Sequence, residues 1–214
     1  MKFAIIPAVL ATAVAATPMR VPGDLTKMVW RKKGGNNNRW SNWSTGPFQF
    51  TSTYDVIATP DEVVDSNNTF TGGLEGAIGY YSYGINSWED VICYNITLIG
   101  FQGEYQSPAL TATHIHEGET GKAGPPRIAF PNPEPIEGTA NVRRSIGCLA
   151  GPFVTGVNAT GTETDSGEGF TVSQIEEDPE KFFTDVHSSL AVPGAVRGQL
   201  GDGANEDCEE EDSD

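Results

Sequence analysis

Between residues 46 and 202 the chain alternates short apolar, β-branched runs with clusters of Gly, Pro, Asn and Asp. Residues 48–57, Phe-Gln-Phe-Thr-Ser-Thr-Tyr-Asp-Val-Ile, alternate in the period of two that suits a half-buried strand. Further strand-like runs fall at 77–83, 93–101, 109–116, 127–130, 169–172, 181–187 and 194–200. Thr71-Gly-Gly73, Gly124-Pro-Pro126 and Pro131-Asn-Pro133 supply turn chemistry between them. Only residues 172–182 predict a short helix, with Ser173 or Asp178 available as its cap. Many short strands joined this way predict an all-β domain over 46–202: an antiparallel β-sandwich or Greek-key-like barrel with one short helix.

The ends of the chain follow different rules. Lys2, the apolar Ala-rich stretch 3–16 and the small residues Val14-Ala15-Ala16 read as a secretory signal peptide over 1–16. Residues 17–45 contain Arg31-Lys-Lys-Gly-Gly-Asn-Asn-Asn38 and lack strand periodicity, so a flexible extension is expected there. Residues 203–214, nearly all acidic from Glu206 onward, predict a solvated, disordered tail. No segment is apolar over the length that a membrane span requires. The expected product is secreted and extracellular, and the sequons at Asn42, Asn67, Asn95 and Asn158 mark it as a candidate glycoprotein.

Charge and cysteine content narrow the partners. A net charge of -16 makes nucleic acid an unfavourable partner. Of the 3 cysteines, Cys93 and Cys148 lie in the ordered middle and Cys208 in the acidic tail. The expected disulfide is therefore Cys93–Cys148, with Cys208 left to form a dimer or to remain free. Gly-x-Ser-x-Gly, His-Glu-x-x-His and Gly-Lys-Ser signatures are absent, which removes the common hydrolase and nucleotide-binding classes from first consideration.

All 3 histidines sit in two of the strand-like runs: His114 and His116 in Thr111-Ala-Thr-His-Ile-His-Glu117, and His187 in Phe182-Phe-Thr-Asp-Val-His-Ser188. Alternate residues of a strand share a face, so His114 and His116 project together while Ile115 turns to the core. The same period puts Phe183, Asp185 and His187 on one face of the second run. If the two runs are neighbours, three imidazoles converge, a recurring arrangement for zinc or copper. Asp185 then either orients the His187 ring or serves as a fourth ligand, and Arg197 is the cation expected nearby. The competing expectation is a metal-free polar network whose satisfied hydrogen bonds set the strand register.

Four segments together resemble the chordin-type (CHRD) domain family: Ala112-Thr-His-Ile-His-Glu-Gly118, Gly124-Pro-Pro-Arg-Ile-Ala-Phe130, Phe182-Phe-Thr-Asp-Val-His-Ser188 and Gly194-Ala-Val-Arg-Gly-Gln-Leu200. The likeness spans roughly residues 48–200, is clearest after 110, and the whole resembles secreted fungal proteins built around one such domain. Asp185 stands where the family pattern has Asn, and Ala195 where it has an acidic residue. The resemblance implies an extracellular all-β module with a binding or structural role and an unknown extracellular ligand or protein partner. A fainter likeness, to copper/zinc superoxide dismutases, implies the alternative of a copper redox enzyme. Those enzymes hold copper with four imidazoles, and this chain has 3.

Overall fold

A computed structural model describes residues 49–201. Asn42, Cys208, the signal-peptide segment 1–16 and the tail 203–214 lie outside the described residues. Strands β1 (Ser52–Ala58), β2 (Ile78–Asn86), β3 (Val91–Ile99), β7 (Val142–Ala150) and β6 (Glu134–Pro135) pair in that order as one antiparallel sheet. Strands β5 (Pro126–Phe130), β4 (Thr113–Glu117), β8 (Phe182–Ser188) and β9 (Ala191–Gln199) form the second. The sheets share one apolar core, so the expected all-β sandwich is the observed fold.

Alternation explains the first sheet. Tyr54, Val56 and Ala58 of β1 point inward, as do Tyr81, Tyr83 and Ile85 of β2 and Ile92, Tyr94, Ile96 and Leu98 of β3. They meet Ile115, Ile128, Phe130, Phe182, Val186 and Val196 of the second sheet. Strand β7 escapes sequence reading for a physical reason: its half-buried positions are Val142, Arg143, Ser145, Gly147 and Leu149, which carry no regular apolar alternation. Arg143 instead lays its guanidinium over the rings of Phe101 and Tyr105, at 5.0 and 5.2 Å from their centroids.

The second sheet is buried on both faces at its centre. Every residue of β8 except His187 is buried, including those turned away from the shared core. Segments 60–74 and 118–125 cover that outer side: Leu74 N donates to Ala195 O, Gly118 N to Lys181 O and Glu117 N to Pro125 O. Gly198 explains how β9 turns back against β1, because a Cβ there would lie 2.6 Å from Val56 Cγ1 and 2.8 Å from Ile57 O.

Several element expectations require correction. Residues 169–172 form a turn rather than a strand, with Phe170 N bonded to Gly167 O. Residues 109–112 are irregular, and β4 begins at Thr113. The helix stops early: α1 spans Ser173–Glu177, Asp178 leaves helical geometry at φ -155 and ψ 76, and a 3-10 turn follows at Pro179–Lys181. Pro179 disfavours helical backbone at Asp178 and brings no amide proton for a helical bond, so the pattern splits there. Neither Ser173 nor Asp178 caps through its side chain; the Ser173 hydroxyl bonds the Thr171 hydroxyl at 2.8 Å.

Candidate metal centre

Pairing brings the two histidine-bearing runs side by side. In the β4–β8 ladder His114 stands opposite Asp185, Ile115 opposite Thr184 and His116 opposite Phe183. The core side of this ladder carries Ile115 and Thr184, the latter hydrogen-bonded to the Tyr83 hydroxyl at 2.7 Å. The other side carries His114, His116, Asp185 and His187, whose ligand-capable atoms all lie within 4.8 Å of one another. One corner of this cluster is sealed, with the His114 side chain 1 % exposed, while His116 and His187 reach 11 % and 14 %.

Each imidazole is held by its outer nitrogen. His114 Nε2 meets Thr111 O at 2.7 Å, His116 Nδ1 meets Gly124 O at 2.8 Å and His187 Nδ1 meets Val192 O at 3.0 Å. A carbonyl only accepts, so these nitrogens carry the proton, and in a neutral ring the inner nitrogen is left with a bare lone pair. Gly124 is required for its part of this clamp, since a Cβ there would overlap the Glu117 carbonyl oxygen. Phe183 stacks on the His116 ring, at 4.9 Å between centroids and 10° between planes.

The inner atoms converge on one carboxylate. His114 Nδ1 and His116 Nε2 lie 3.5 and 3.3 Å from Asp185 Oδ1, and His187 Nε2 lies 3.1 Å from Oδ2. His114 Nδ1, His116 Nε2 and Asp185 Oδ1 are buried with no hydrogen-bond partner. Three acceptors thus face one another with no donor between them. Burial keeps the His114 ring neutral by pulling its pKa down, against the pull of Asp185. Burial also tends to lower His187, but the Asp185 carboxylate outweighs it and raises the ring to about 9. Desolvation would raise the Asp185 carboxyl, but the imidazoles packed around it hold it well below the usual carboxylate range.

The donor set fits a divalent ion. Two ligand atoms each about 2.0–2.1 Å from a tetrahedral zinc are roughly 3.4 Å apart. The His114 and His116 separations from Asp185 Oδ1, 3.5 and 3.3 Å, sit close to that edge, and His187 lies 3.1 Å from the other carboxylate oxygen. Imidazole nitrogen and carboxylate oxygen suit zinc, and imidazole also suits copper.

Arg197 is placed differently from a direct partner. It faces Asp185 across the β8–β9 ladder, but its guanidinium donates to Lys122 O at 2.7 Å and to Glu119 O at 2.9 Å. It lies 3.5 Å above the Phe183 ring. No ion pair joins it to Asp185 among the described residues. Its work is to fasten segment 118–125, with Gln199 Nε2 adding a bond to Gly118 O at 2.8 Å. Sequence reasoning missed the carbonyls of Thr111, Gly124 and Val192 as ring holders. The Gly124-Pro-Pro126 turn signal was the one local cue to any of them.

The remaining sequence-derived sites are spread over the surface. Cys93 and Cys148 are directly paired across β3 and β7 and form the expected disulfide. Asn67 and Asn158 are exposed, whereas Asn95 is half-buried on β3 and accepts a bond from Arg144 Nε at 2.9 Å. Among the described residues no helix is long and apolar enough to cross a membrane. No curated protein and no solved structure matches the chain. The CHRD domain model matches residues 55–200, a span that runs from β1 to the end of β9 and includes the whole histidine–aspartate cluster, and the chain belongs to the CHRD domain family.

Proposed function

We propose that this chain is a secreted, extracellular binding or structural module whose His114, His116, Asp185 and His187 hold one divalent ion, zinc or copper. The observation that carries the metal reading is the set of inner atoms left without partners: two imidazole nitrogens and a carboxylate oxygen, all buried and mutually facing. An unsatisfied buried polar group costs about 1–3 kcal/mol, and a bound cation would remove several such penalties at once. The outer nitrogens, each directed to a backbone carbonyl, give the ring orientation and tautomer that a metal ligand needs. The N-terminal signal pattern supports secretion, as does a disulfide between Cys93 and Cys148, because disulfides persist chiefly in oxidising compartments.

Metal analysis by mass spectrometry on secreted, tag-free protein tests the reading, beside a His114→Ala/His116→Ala control. About one zinc or copper per chain, lost in the control, is expected. Protein that takes up neither metal after reloading would make the cluster a purely structural network.

A further inference from the structure

We propose that the ion in this cluster keeps one side open and that a small anion binds there as an exogenous ligand. This rests on the metal reading above and goes beyond it by naming the ligand class. His116, Asp185 and His187 line a cavity of about 160 Å³, while His114 does not. Three of the four ligating residues therefore face a shared space, and the fourth seals the back of the site.

Size sets the first limit on the occupant. Sites for drug-sized ligands run to roughly 300–1,000 Å³ and a cavity of about 150 Å³ is enough for a benzene ring, so this one takes water or a small ion rather than a sugar chain or peptide. Charge sets the second. Arg197 lines the same cavity, held in place by its bonds to the Lys122 and Glu119 carbonyls. Asp65 also lines it, and its Oδ1 already accepts from the Asn67 and Thr69 amides. A divalent ion and Arg197 set against the carboxylates of Asp185 and Asp65 leave one positive charge facing the space. Val63, Val64 and Val196 form the apolar wall, and low dielectric strengthens the attraction of that charge for an anion.

The test uses the full chain loaded with copper(II) and titrated with sodium azide. The expected result is a saturable azide-to-copper charge-transfer band, with the bulky anion triphenylacetate at the same concentration failing to displace it. Val64→Trp, which narrows the cavity from a wall that carries no ligand atom, should retain one copper per chain and weaken azide binding at least tenfold. If that variant fails to fold, the comparison of azide with triphenylacetate on the unmodified chain decides the question. Copper bound with no azide band would mean a closed four-ligand site, overturning the open position and leaving the metal reading intact. Triphenylacetate displacing azide would overturn the confinement. A chain that binds no metal would end both readings.

Discussion

His187 and Asp185 carry most of the pH response that the cluster can give. In metal-free protein His187 holds its proton up to about 9, against an ordinary value of 6.5. Between those values the folded chain binds more protons than the unfolded one, so stability falls as pH rises. The contribution is whole below 6.5 and is lost as pH climbs through about 9. Asp185 acts in the opposite sense: its carboxyl is depressed, so its contribution is present above the ordinary carboxylate value and disappears as acid titrates the folded form. Urea denaturation of chelator-treated protein should show a declining midpoint from pH 7 to 9.5. His187→Gln should remove that decline, and an unchanged slope would show that the pair is not its source. Metal should stabilise through the same residues. At a free-ion concentration a hundred times Kd the gain is about 2.7 kcal/mol, roughly 5–10 °C in Tm for a domain of this size. Differential scanning calorimetry with and without zinc measures it, and Asp185→Ala should abolish the shift.

Strands β4, β8 and β9 divide their residues between packing and chemistry, and substitutions should separate the two. Ile115 is fully buried on the core side of β4, between His114 and His116 in sequence. Ile115→Val should cost about 0.5–1.5 kcal/mol in stability while leaving one metal per chain, whereas His116→Ala should lose the metal. Gly198 belongs to packing alone. Gly198→Ala would press a methyl group against Val56 and the backbone of β1, an overpacking that costs about 1–3 kcal/mol, read as a lower denaturation midpoint. Elements were legible where inward positions are apolar, as in β1 to β3. They were not legible where Arg143, Ser145 and Gly147 face inward on β7, or where Pro179 divides one helical pattern into two short turns.

At the scale of the whole molecule, the Cys93–Cys148 bridge ties β3 to β7 across a sequence separation of 55. Cys93→Ala/Cys148→Ala should lower stability by about 2–4 kcal/mol, seen as a shifted urea midpoint with the metal content unchanged. Glycopeptide mapping of secreted protein should find sugar at Asn67 and Asn158, which are exposed, before Asn95, whose side chain is engaged by Arg144. The period of two was enough to put His114 with His116 and Asp185 with His187, because the direction of a strand side chain is local information. The order of cysteines and the turn residues were likewise readable in one dimension. Adjacency was not. That β4 pairs with β8 in a register setting His114 opposite Asp185 depends on which strands bury their apolar faces together. The carbonyls that hold the rings lie only three to eight residues from their histidines but depend on how the intervening loops fold, and the cavity beside three of the four candidate ligands gathers segments remote in sequence. Local alternation chose the donors, and tertiary packing alone brought them within reach of a single ion.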